Sequence, residues 1–215
     1  MVTQQSFMTS KAGTNPTAEY REKKSHFIAK LAHVETLDEA NAFIASVKAE
    51  HPAARHHVPA WVLSGGQTHS SDDGEPHGTA GMPILQVLHD SGLRDVCCVV
   101  TRYFGGILLG IGGLVRAYAT STQEAIEQAR EDNLLVEMTE VVDVTLTVLY
   151  AKHDMVIHLL ETGGGLIQNQ DYATEVTVAA RFRAGTQDPT LQSITELMQG
   201  KKIYIVGKPH FALLG

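Results

Sequence analysis

Apolar positions along the chain fall into two successive patterns, separated by a polar break at Glu131-Asp132-Asn133. In the first, Phe27, Ala29 and Leu31 alternate with Ile28, Lys30 and Ala32 and predict a strand over 24–34. Thr36 followed by Glu39 makes a capping box, in which two side chains satisfy otherwise orphaned amides. Leu37, Ala40, Phe43, Ile44 and Val47 then form the inward stripe of a helix ending near Glu50, ahead of Pro52. A short strand is expected at 60–64, and a second helix from Pro83 to Gly92 with Ile84, Leu85, Val87 and Leu88 inward. Val96 to Val100 is apolar on both faces, the mark of a central strand covered on both sides. Leu114, Val115, Tyr118, Ala119, Thr122, Ala125, Ile126 and Ala129 recur at helical spacing and predict a helix over 113–130. Residues 1–20 carry no period and are expected to form a flexible tail.

The second pattern starts near residue 140. Val142, Val144, Leu146 and Val148 alternate as a strand, and Met155, Val156, Leu159 and Leu160 mark a helix closed by Gly163-Gly164-Gly165. Residues 166–170 and 176–183 read as a hairpin, Asp188-Pro189 opens a helix, and 202–206 is a last strand. That βαββαβ order is the split βαβ arrangement of ferredoxin-like domains. The chain thus reads as an α+β protein of two domains, 21–134 and 137–215.

Composition narrows the class. Of 215 residues, 43% are hydrophobic and 19% charged, as in soluble globular proteins. No apolar run approaches the roughly 20 residues of a membrane helix, and Met1 to Tyr20 lacks a signal-peptide core, so a cytoplasmic protein without membrane contact is expected. The two cysteines, Cys97 and Cys98, sit in an apolar run and read as core residues. A net charge of −7 speaks against indiscriminate phosphate binding and sequence-specific DNA binding. Residues 61–134 carry 4 basic and 9 acidic side chains, so a bare anion would be repelled there unless a cation intervened.

Nine of the 19 glycines lie between 74 and 113, a costly crowding unless close approach or positive φ is required. Gly105 to Gly113 fits neither nucleotide fingerprint: Val115 replaces the third Rossmann glycine, and Ile111 stands where a P-loop lysine belongs. A strand, glycine turn and helix still offer amides to an anion, or else simply allow close packing. Asp72, Asp73 and Glu75 could hold Mg²⁺, or could be turn formers in a solvated loop. The histidines lack zinc-enzyme spacing, Ser70 and Ser71 lack a nucleophile elbow, and buried cysteines are inert, so covalent catalysis is not expected. Arg181 and Arg183 share a face with Thr177 while Phe182 points inward, leaving no aromatic platform for RNA.

Two blocks carry a resemblance. Ser71-Asp-Asp-Gly-Glu-Pro-His-Gly-Thr-Ala-Gly81 and Val100-Thr-Arg-Tyr-Phe-Gly-Gly-Ile-Leu-Leu-Gly-Ile-Gly-Gly-Leu-Val-Arg-Ala-Tyr118 closely resemble the signature blocks of the IMPACT family, bacterial YigZ branch. Glu22 to Ala29 looks like that family's opening strand. The resemblance implies a ribosomal protein S5 domain 2-like fold for the first domain and a ferredoxin-like second domain. His77 and Val58 depart from the family, which commonly carries a small residue and, in many members, a cysteine at those positions. Eukaryotic members regulate translation by competing for the activator of a starvation-sensing kinase, through an additional N-terminal domain for which this chain has no room.

The leading expectation is therefore a non-catalytic, monomeric binding protein acting on translation through the ribosome, RNA or a translation factor. The alternative is a small Mg²⁺-dependent hydrolase or phosphoryl-handling enzyme built on the acidic loop and glycine turn. Either would use a surface formed by Asp72, Asp73, Glu75, Thr79, Arg102, Tyr103, Gly105, Gly106, Gly110, Gly112 and Arg116. Apart from Mg²⁺, no cofactor is expected.

Overall fold

A computed structural model describes residues 6–214. In chain order its elements are β1 (Ser6–Ser10), β2 (Thr17–Glu22), β3 (Ser25–His33), α1 (Leu37–Glu50), β4 (His56–Val62), β5 (Thr68–Ser70), α2 (Gly81–Asp90), β6 (Val96–Tyr103) and α3 (Ile111–Glu131). Then follow β7 (Leu135–Val148), α4 (Tyr150–Thr162), β8 (Leu166–Tyr172), β9 (Val176–Arg183), α5 (Asp188–Leu197), β10 (Tyr204–Val206) and β11 (His210–Ala212). The chain divides into one unit over Phe7–Glu137 and another from Met138 onward.

In the first unit the doubly apolar run lies at the centre of a sheet ordered β2-β3-β6-β4-β5, antiparallel at every step. Alternate residues of β6 serve opposite layers. Cys97 and Val99 pack with Ala40 and Val47 of α1 and with Trp61, while Val96, Cys98 and Val100 pack under α2 and α3 with Ile84, Leu88 and Tyr118. Because both faces are covered, a strand with no polar alternation is what the position demands. Glu39 N–H donates to Thr36 Oγ1 at 3.2 Å, and Glu39 Oε2 accepts from the amide of Glu35 at 2.6 Å, so the capping pair forms with its return bond one residue early.

Several boundaries differ from the sequence reading. The flexible tail over 1–20 does not hold for the described part, since residues 6–10 and 17–22 are strands; residues 1–5 lie outside the description. β1 is stitched by hydrogen bonds instead of an apolar stripe: Thr9 Oγ1 donates to Asp95 O at 2.9 Å and the Arg94 amide to Met8 O at 3.0 Å. β2 is an edge strand whose alternation is muted because its outer side chains are polar. The strand at 60–64 begins at His56, in a segment of histidines and Pro59 that carries no strand pattern. α2 and α3 each start two residues before the predicted points. Leu37 is half exposed, leaving Phe43 and Ile44 to complete the α1 contact, and Val115 of α3 and Met155 of α4, which also fall at helical spacing, turn to solvent.

In the second unit β7 pairs antiparallel with β9 along Val141 to Val148, and β8 lies outside β9. β10 and β11 pair with β7. Val144, Leu146, Val178, Ala180 and Phe182 meet Val156 and Leu160 of α4 and Ile194 of α5 in a single core. Arg181 turns to the opposite side and grips Asp143 through Nε at 2.8 Å and Nη2 at 3.1 Å. Among the described residues no helix is long and apolar enough to cross a membrane.

Candidate functional site

The acidic loop before α2 is held by its own carboxylates, each sent a different way. Asp72 Oδ2 accepts from the amide of Gly78 at 2.7 Å, and Oδ1 accepts from Ala80 and Gly81 at 3.1 and 2.9 Å. It therefore caps α2 from a distance in sequence, where Ala80 itself has no capping side chain. Partial burial pushes its carboxyl up, but the three amides outweigh that and hold it below its ordinary value. Asp73, at φ +43°, accepts from the His57 amide at 2.6 Å and faces Lys48 at 3.5 Å. Thr79 is buried and donates to Pro76 O at 2.7 Å. These acids do not converge, and no group of three or more metal-ligating side chains occurs among the described residues.

Glu75 takes the third direction, inward. Its Oε1 accepts from Arg102 Nη1 at 2.6 Å and from the Tyr118 hydroxyl at 2.7 Å, with His56 Nε2 at 4.0 Å. Arg102 Nη2 reaches Ser25 Oγ at 3.3 Å, and its guanidinium lies 5.5 Å from the rings of both Phe27 and Phe104. Burial, then the Glu75 carboxylate, pushes the Tyr118 phenol far above its ordinary value, so it remains a donor. The sequence leaves Arg102 two places, on a binding surface or paired with the loop acids to pin the loop; it is 5% exposed and paired with Glu75. Strand parity is the reason: position 102 continues the side of β6 that carries Val96, Cys98 and Val100 toward α3. Tyr103 points the other way, its hydroxyl 3.1 Å from His51 Nδ1 and its ring stacked on His26.

The two leading glycines serve different needs. A Cβ on Gly105 would sit 2.0 Å from the carbonyl carbon of Lys24, so only glycine lets these two backbones meet. Gly106 has open space but φ +82°. Around these glycines the chain displays Phe104, Ile107, Leu108 and Ile111, which are 41, 44, 82 and 70% exposed. Phe104, Leu108 and Ile111 border a pocket of about 350 Å³, with Pro76, Phe104, Leu108, Leu109 and Leu114 as its apolar wall. Glu75, Arg102, Arg55 and His56 contribute its polar side, and Gly110 and Ile111 bring in the start of α3.

Of the residues expected to form the site, Glu75, Arg102 and Gly110 line this pocket. Gly112 and Arg116 stand on the adjoining turn of α3, with Arg116 Nη1 3.5 Å from where a Gly112 Cβ would lie. Asp72, Asp73, Thr79 and Tyr103 brace the surroundings. Sequence reasoning missed the apolar wall and Arg55. The available signal was four apolar residues spaced among glycines, outside any helical or strand period, where packing into a core was not required.

Residues 23–126 match the Impact N-terminal domain. The chain is 45% identical over 166 residues to a protein of Escherichia coli K12 described as IMPACT family member YigZ, covering 75% of this chain and 79% of that one. It is 36% identical over 181 residues to a Thermus thermophilus protein described as an IMPACT family member in the pol 5' region, covering 83% and 96%. Among solved structures, a crystal structure of a hypothetical protein aligns over 98% of both chains at a TM-score of 0.64 and 35% identity.

Proposed function

Since the chain belongs to the IMPACT family, we propose that it is a non-catalytic binding protein that acts on translation by docking a protein of the ribosome or a translation factor. The observation that carries this reading is the loop Phe104 to Ile111, which holds four large apolar side chains in solvent, three of them, Phe104, Leu108 and Ile111, on the rim of a pocket. Exposed apolar clusters of this kind mark interaction surfaces. A protein partner is favoured over RNA because the first unit is acidic and no row of stacking aromatics accompanies the pocket. Catalysis is disfavoured by the engagement of Asp72 and Glu75 with backbone amides, Arg102 and Tyr118.

We propose further that the first unit has the ribosomal protein S5 domain 2-like fold and the second the ferredoxin-like fold. The β3-α1-β4 crossover, which places β6 between its two strands, supports the first. The order β10-β7-β9-β8 supports the second.

Co-sedimentation with ribosomal fractions from a bacterial lysate, together with crosslinking from Leu108, tests the docking reading. Wild-type protein is expected to associate, and a Leu108→Ser, Ile111→Ser variant to lose association while keeping its melting temperature. Absence of wild-type association, or equal association of the variant, would overturn it.

A further inference from the structure

β2 leaves one edge of the first unit's sheet open. It stands last in the order β2-β3-β6-β4-β5 and pairs with β3 alone. The Pro16 carbonyl accepts from the Leu31 amide at 2.9 Å, which fixes the alternation along the pair. Ala18, Tyr20 and Glu22 therefore turn their backbone groups to β3, and Thr17, Glu19 and Arg21 turn theirs outward. Among the described residues no strand or loop pairs with those outward groups. Side chains follow the same alternation: Ala18 and Tyr20 pack against the core beneath α3, and Thr17, Glu19 and Arg21 are exposed.

The open edge is the floor of a groove whose wall is α3. Thr17, Ala18 and Glu19 line it from β2, and Glu124, Glu127 and Glu131 from α3, with no lysine or arginine among the lining residues. Glu127 is paired with Arg130 of its own helix, and Glu19 meets His26 Nε2 at 2.9 Å and Arg21 at 3.9 Å. Glu124 and Glu131 are exposed and have no ion-pair partner among the described residues. They stand two turns apart on one side of α3, separated by about 10 Å along its axis.

We propose that the open edge of β2 takes an extended, lysine- or arginine-rich segment of a partner protein as an added antiparallel strand, its basic side chains reaching Glu124 and Glu131. Antiparallel addition continues the pattern of every pair in this sheet. Main-chain bonds to Thr17, Glu19 and Arg21 supply affinity, and alternate side chains supply selectivity. A strand beside β2 turns every second side chain toward α3, at steps of about 7 Å, so two long basic side chains reach both unpaired carboxylates. A second copy of this chain suits the edge poorly. Charged residues such as Glu19 and Arg21 guard an edge against its own kind, and joining two β2 edges would bring the acids of both α3 helices toward each other. This surface is separate from the pocket beside Phe104 and Leu108 and does not rest on the docking reading given for it.

The test titrates ¹⁵N-labelled full-length chain with N-acetyl-Lys-Thr-Lys-Thr-Lys-Thr amide and with its counterpart carrying Glu for Lys, following backbone amide shifts. The lysine peptide is expected to move the Thr17, Glu19 and Arg21 amides and to bind at least about tenfold tighter than the glutamate peptide. A Glu124→Gln, Glu131→Gln variant, altered only at exposed positions, is expected to bind it about fivefold more weakly. Two N-methylated forms separate strand addition from charge attraction alone. In an antiparallel strand whose lysines face α3, the threonine amides point to β2 and the lysine amides point away. Methylation of the threonine nitrogens should abolish binding, and methylation of the lysine nitrogens should leave it. Loss with both forms or with neither, shifts confined elsewhere, or no response to the lysine peptide would overturn the proposal. So would a dimer in sedimentation whose β2 amides ignore the peptide, since the edge would then belong to a second copy. The Leu108→Ser, Ile111→Ser variant should bind the peptide as the wild type does, so failure here and failure of the pocket's docking reading remain distinguishable.

Discussion

Arg102 Nη1 and Glu75 Oε1 meet at 2.6 Å with their side chains only 6 and 4% exposed, and together they tie the acidic loop to the central strand. Tyr118 of α3 donates to the same carboxylate oxygen, so three elements share one ion pair. Removing one member leaves a buried charge without its counterpart. Arg102→Met and Glu75→Met are each expected to cost about 3–5 kcal/mol, and the double variant to recover at least about half of that loss. Urea unfolding of the four proteins checks it; additive losses would mean the pair is not coupled.

Gly105 and Gly106 are adjacent but should respond differently to alanine. At Gly105 the new methyl would meet the Lys24–Ser25 backbone, which cannot swing aside, so a loss above about 3 kcal/mol is expected. At Gly106 only the left-handed backbone opposes the change, at about 1–2 kcal/mol. Thermal unfolding of both variants compares them directly, and equal losses would contradict the contact geometry.

Much of this architecture could be read from side-chain periodicity. The α1 stripe, the doubly covered β6 and the long α3 were legible because burial imposes spacing on apolar residues. β1 and β2 were not, since hydrogen bonds from Thr9 and an edge position leave little apolar imprint. At the site, the blocks containing Glu75 and Arg102 were visible, but their burial required knowing where β6 ends. Along a strand that runs to Tyr103, parity turns Arg102 inward, where its Glu75 partner also holds Tyr118. Arg55 was illegible because it reaches the pocket through a fold contact between distant segments.

Asp72 should make stability depend on acid. Its carboxyl is held below the ordinary value in the folded protein, so its contribution is complete above about pH 4, the unfolded value, and is lost as the pH falls through the lower folded value. Asp72→Ala is expected to cost about 1–2 kcal/mol at pH 7, the worth of a helix N-cap. The gap between the two proteins should close as pH drops below about 4. Urea midpoints measured from pH 7 to pH 2 check both sign and window; a gap that widens in acid would refute the capping role.

Cys97 and Cys98 should be silent in the native protein. Burial raises both thiols, Cys98 to about 12 and Cys97 further still. Mass spectrometry after iodoacetamide treatment at pH 8 is expected to find neither modified until denaturant is added. Rapid native labelling of either would place it outside the β6 core.

The position of β6 has a consequence for a chain made from its N-terminus. β3 and β4 are joined in the sheet only by β6, which follows both in sequence. Until residues 96–103 leave the ribosome, the nascent chain carries two separate hairpins, β2–β3 and β4–β5, each with an unfilled inner edge lined by apolar side chains. At about 5–20 residues per second that interval lasts seconds, long enough for wrong strand pairing or for a chaperone to bind. Insertion of the last strand then completes the sheet in one step, bringing Arg102 to Glu75 and Gly105 onto Lys24 together. Synthesis halted before Val96 would therefore release an aggregation-prone fragment instead of a smaller folded domain.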